Sequence, residues 1–148
     1  MSSLFKVAID QANAKRERRV LLPVPGSPGV DLLFRTATSD DIASSQKGGT
    51  RLYPKNELLA MHQANVSLLA NCCLEIWQNG ETTFLESGDP ATFTDRETQA
   101  DLGVPTAGEA VVKLVGRDFD VDALAAALLR ESGFDPDGAP LESTENPT

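Results

Sequence analysis

Histidine occurs once in this chain, at position 62, and cysteine only as the adjacent pair Cys72 and Cys73. Two neighbouring thiols cannot build a disulfide framework, and they fit a reducing compartment. A single helix holding His62 and Cys72 would keep them roughly 15 Å apart, too far for a Cys–His dyad. Such a lone His, and small helical cysteines, are ordinary packing residues. Aromatic residues are scarce, at 5%, so Leu, Val and Ala must fill the core. No apolar run reaches the length of a membrane span, and no export signal is evident near the N-terminus, where Lys6 and Asp10 interrupt the apolar residues.

Cations are also few. The formal net charge is −9 over 148 residues, which argues against a nucleic-acid binder. The exception is Met1 to Arg19, with five cations against two acids, a net of +3 that leaves −12 for the rest. Its "KRERR" run reads as the solvated end of a helix, with contact to an acidic partner or RNA as the competing reading. Phosphate-cradling glycine loops are missing. Asp118, Asp120 and Asp122 alternate like the start of a calcium loop, but Ala123 and Leu129 stand where that motif needs Gly and Glu. Helix capping accounts for them better. The expectation is a protein with no catalytic residues, no metal and no cofactor.

The local signals predict an α+β chain, mainly helical, with a small β-hairpin. Residues 1–19 form a helical, basic segment, with Ser2 or Ser3 capping a helix through Asn13. Residues 20–134 form the hairpin and helical domain. Residues 135–148, rich in Pro and acids, are expected to be disordered. The hairpin strands are Val20–Val24 and Val30–Thr36 around "PGSPG". Pro23 makes the first an edge strand, and Thr82–Leu85 offers a further strand.

Thr38 to Asp41 supply acceptors for a helix start, and Lys47–Thr50 ("KGGT") reads as a mobile loop that keeps this helix short. The strongest element is a long helix from Pro54 to Asn79, closed by Gly80. Capping boxes Thr94/Glu97 and Thr106/Glu109 predict helices over Asp95–Leu102 and Ala107–Val115. A last helix, Val121–Leu129, is capped by Asp120 and stapled by Phe119 on Leu124. It ends at Gly133 and Phe134.

Three adjacent leucine pairs, 58/59, 68/69 and 128/129, point in directions about 100° apart. One member of each can enter the core while the other nears the surface. Leu59, Leu69 and Leu129 are therefore the candidate partner-binding residues; burial of both members between layers is the competing reading.

Three stretches carry a family resemblance: "LLPVPGSPGVDLLFRTATSDDI", "NELLAMHQANVSLLANCCLEIW" and "LGVPTAGEAVVKLVGRDFDVDALAAALL". A Pro/Gly hairpin, a strand ending near an Arg, a Cys-bearing helix and a "T-A-x-E-x-V" helix follow in that order over most of Leu21–Leu129. This resembles the tail assembly chaperones of long-tailed actinobacteriophages. The resemblance implies a non-enzymatic protein of the host cytoplasm that binds the tape measure protein, helps recruit tail tube subunits and is absent from the virion. It also implies that the region after Phe134 lies near a frameshift switch to a longer form. Self-association is compatible with it; nucleic acid and membrane are not expected partners. The alternative is a head–tail connector or tail terminator retained in the particle. A small carboxylate enzyme is the third and least supported class.

Overall fold

The computed structural model describes residues 4–16 and 18–141. In chain order the elements are α1 (Lys6–Arg16), β1 (Arg19–Pro23), β2 (Val30–Arg35), α2 (Ser39–Leu52), α3 (Glu57–Cys72), β3 (Cys73–Gln78), β4 (Glu81–Thr82), α4 (Arg96–Asp101), α5 (Ala107–Val115) and α6 (Asp118–Glu131). The class is α+β, as expected. The sheet is antiparallel with order β1-β2-β3-β4, so β1 is an edge strand, as Pro23 requires.

The hairpin turn closes through Val24 N–H to Val30 O, 2.9 Å, and Val30 N–H to Ser27 O, 3.1 Å. Gly29 is needed there twice over. Its φ is +86°, and a Cβ would stand 2.6 Å from Asn79 Oδ1.

The predicted long helix is corrected. It stops at Cys72, and Cys73 turns extended, with φ −72° and ψ 125°. Residues 73–78 then pair with β2, with Ile76 opposite Leu32 and Trp77 opposite Asp31. Without β3 the buried strand β2 would lack a partner on its inner side. The sequence did carry the signal. Asn79-Gly80 joins β3 to β4, and both residues have positive φ, as a type I′ hairpin turn demands. Gly80 is a hairpin residue, not a helix cap.

The "KGGT" loop is also corrected, because Lys47–Thr50 lies inside α2. Gly49 is buried, and a Cβ there would run into the Ala60 carbonyl oxygen of α3. A mid-helix glycine costs up to about 1 kcal/mol against Ala, and here it permits close helix–helix contact. The start of α2 is as expected. Thr38 Oγ1 accepts from Asp41 N–H, 3.2 Å, and Asp41 Oδ2 accepts from Thr38 N–H, 2.8 Å.

Other ends differ. Helix α5 starts on Thr106, whose hydroxyl accepts from Glu109 N–H at 3.1 Å. The Thr94/Glu97 box does not form. Asp95 is the N-cap residue and its carboxylate turns back to Thr92 N–H, 2.8 Å, while Glu97 accepts from Glu86 N–H, 3.0 Å. Helix α6 begins earlier than expected, so Asp120 falls within its first turn rather than capping it. Phe119 is exposed and makes no staple. Its C-terminus is as read: Phe134 N–H reaches Leu129 O, 2.9 Å, across Gly133.

The start of the tail is corrected too. Asp135–Leu141 folds back, with Asp135 N–H to Ala139 O at 2.8 Å and Leu141 N–H to Gly133 O at 3.0 Å. Asp135-Pro136-Asp137-Gly138 makes a tight turn, for which these residue types are suited. Gln46 Nε2 of α2 donates to Asp137 O, 3.1 Å. Residues 142–148, and the Ser2 or Ser3 cap, lie outside the described residues.

The inner sheet face, with Leu32, Phe34 and Ile76, joins α3, α5 and α6 around one core. Phe34, Phe93, Leu32, Leu69, Leu124 and Leu128 are its largest buried members.

Candidate partner-binding site

The leucine pairs do not divide as the sequence suggests. Leu69 is 0% exposed and Leu129 3%, so both are core residues. Their partners Leu68 and Leu128 are buried with them. The reason is layering. Helix α2 packs along one flank of α3, with Gly49 against Ala60 and Ala64, and α5 and α6 pack on another from His62 onward. The Pro136–Gly138 turn lies over Leu129.

At the other end of α3 both leucines stay out: Leu58 is 85% exposed and Leu59 45%. The local chain explains the position. Helix α2 closes with Tyr53 N–H on Gly49 O, 2.9 Å, and Asn56 Oδ1 then caps α3 by accepting from Leu59 N–H, 3.1 Å. Between these caps the chain reverses, so Leu58 and Leu59 project beyond the layers that cover the rest of α3. Leu52, Tyr53 and Met61 are exposed in the same corner of the chain. An open groove of about 300 Å³ runs between α2 and α3, lined by Gln46, Thr50, Glu57, Ala60, Met61 and Ala64; of the exposed apolar residues only Met61 lines it. Small alanines let a partner approach, and methionine adapts to its shape. Lys47, Arg51 and Lys55 are exposed cations around this corner of an acidic protein.

His62 lies one turn further along. Its Nδ1 meets Asp122 Oδ1 at 2.9 Å, and Asn65 Nδ2 donates to the same oxygen at 2.9 Å. Its Nε2 is 3.4 Å from Asp118 Oδ1. These contacts tie α3 to α6, and they give Asp118 and Asp122 a partner the sequence did not reveal. Neither thiol is poised to react. Burial pushes Cys72 up to about 11 and Cys73 up to about 12, so both are protonated at neutral pH. Among the described residues no cluster of three or more His, Cys, Asp or Glu could hold a metal ion. Nor, among them, is any helix long and apolar enough to cross a membrane.

No known family, characterised protein or solved structure matches this chain. The corner of α2 and α3 must be read from its own chemistry.

Sequence reasoning placed Leu59 toward the surface but not its neighbours. Leu58, Leu52 and Tyr53 flank "PKN", which carries both a helix-stopping Pro and an N-capping Asn. Ending one helix before Pro54 and starting the next after Asn56 would have marked all of them as tip residues.

Proposed function

We propose that this protein is a tail assembly chaperone of a long-tailed phage, a non-enzymatic protein that binds the tape measure protein in the host cytoplasm. One observation carries the reading: Leu52, Tyr53, Leu58, Leu59 and Met61, close in sequence around the turn from α2 to α3, are each exposed. Concentrated exposed apolar surface marks an interaction site. An apolar helix can lay one face against these exposed side chains, as amphipathic helices do on apolar surfaces. A tape measure protein presents long apolar helical stripes before the tube encloses it. Many copies bound along one rod would keep it soluble through avidity, although each contact is weak. Recruitment of tail tube subunits would then use the rest of the acidic exterior.

Fractionation tests this. The protein should travel with the tape measure protein in infected-cell lysates and be missing from purified virions. Stoichiometric retention in virions would instead favour a head–tail connector or tail terminator.

A further inference from the structure

The N-terminal arm leaves apolar surface uncovered on its own chain. Leu4, Phe5, Val7 and Ile9 are all exposed, Phe5 at 63%. Phe5, Ala8, Ile9 and Ala12 recur at the spacing of one helix face. An eleven-residue helix is marginal in water without packing, because nucleation is costly and tertiary contacts supply most helical stability. Helix α1 therefore needs a surface to lie on.

A matching surface exists at the opposite edge of the sheet. Ile76, Phe84, Ala91, Leu102 and Leu114 line a pocket of about 150 Å³ beside β3 and α4. That volume accommodates one benzene-sized ring in an apolar cavity. Its charged lining residues are both acids, Glu97 and Asp101. Thr98, which also lines it, is buried with no hydrogen-bond partner for its hydroxyl. The arm is the complement: an exposed phenyl ring next to Lys6, on a segment of net charge +3, meeting a body of −12.

The arm does not fill the pocket of its own chain, since Phe5 stays exposed. Arg18, at the arm's base, is anchored to the body by its guanidinium, which donates to Glu131 O at 3.1 Å and pairs with Glu131 Oε2 at 3.0 Å. Its carbonyl accepts from Thr36 N–H, 3.1 Å. The arm therefore leaves at β1, the sheet edge opposite β4, while the pocket lies beside β3 and α4.

We propose that α1 of one copy docks on a second copy, seating Phe5 in the pocket between β3 and α4, with Lys6 beside Glu97 and Asp101. This self-association is independent of the chaperone reading.

Light scattering on the full chain, over ~1 µM to ~1 mM, the span of weak specific association, tests it. The mass should rise above that of one 15.8 kDa chain and fall back as salt screens the charges. Phe5→Asp and Phe84→Asp, both at exposed positions, should each leave a single-chain mass with an unchanged melting temperature. An equimolar mixture of the two variants should associate again, because one retains the arm and the other the pocket. A wild-type protein that stays at one chain mass, association that survives Phe5→Asp, or a mixture that fails to associate would each overturn the proposal.

Discussion

The two ends of helix α3 carry the same residue pair and opposite surroundings. Leu68-Leu69 is buried where α2, α5 and α6 pack on α3, while Leu58-Leu59 lies in the first turn of α3, before its contacts with α6 at His62 and Asn65, and stays exposed. Side-chain chemistry is identical, so burial here is decided by what lies above the helix. The covered end holds the fold, and the uncovered end is the part free to do something else. A residue-by-residue reading of amphipathicity misses this, since it assigns faces around a helix and not positions along it.

The comparison can be broken most forcefully at its covered end. Leu69→Asp buries an unpaired charge and should cost more than about 4 kcal/mol, leaving little folded protein. Thermal unfolding by circular dichroism checks this, and a stable variant would mean that Leu69 is not sealed.

The next largest effect concerns the clamp that holds α2 over that end. Arg35 pairs with both carboxylate oxygens of Asp41, at 2.6 and 3.0 Å, and Asp41 also completes the Thr38 capping box. Asp41→Ala removes a charge-assisted pair and a cap, so denaturant unfolding should show a loss of about 3 kcal/mol. The hydrogen bonds from Arg35 hold the Asp41 carboxyl down, from 3.8 to about 2. A depressed acid stabilises the fold above its ordinary value, and the contribution fades as pH falls from 3.8 through about 2. Stability measured between neutral pH and pH 2 should therefore drop in that window, and the drop should shrink in Asp41→Ala.

Gly49→Ala should cost about 2 kcal/mol, since the new methyl must push α2 off the Ala60 carbonyl. Gly48→Ala in the next position meets nothing within 4 Å and should be neutral or slightly stabilising. Equal effects from the two substitutions would contradict close packing at Gly49.

Least of all should Leu59→Asp matter to the fold. A surface change of this kind stays within about 0.5 kcal/mol, readable as an unchanged melting temperature.

Much of the fold was legible where a local rule acts alone. Thr38 and Asp41, Thr106, Pro23 and the Gly133-Phe134 ending each did what their chemistry dictates. Misreadings arose where two rules competed for the same residues. "CLEIWQNG" continues a helical pattern but also ends in the hairpin dipeptide Asn79-Gly80, and the need of β2 for a partner decided for the strand. "KGGT" is loop-like in isolation, and contact with Ala60 made it helical. "DPDG" is polar enough for disorder, yet its turn chemistry and the surface of α2 fold it over Leu129. Of the candidate site, Leu59 alone was correctly placed at the surface. Exposure depends on long-range layering that no local pattern encodes.

The central claim is that the uncovered end of α3 holds an apolar helical partner. Co-expression of the tape measure protein with wild-type protein and with the double variant Leu58→Asp/Leu59→Asp tests it most directly. The wild type should keep the tape measure protein soluble and co-purify with it. The double variant, folded and melting at the same temperature, should lose most of that co-purification. Undiminished recovery of the tape measure protein with the double variant would contradict it.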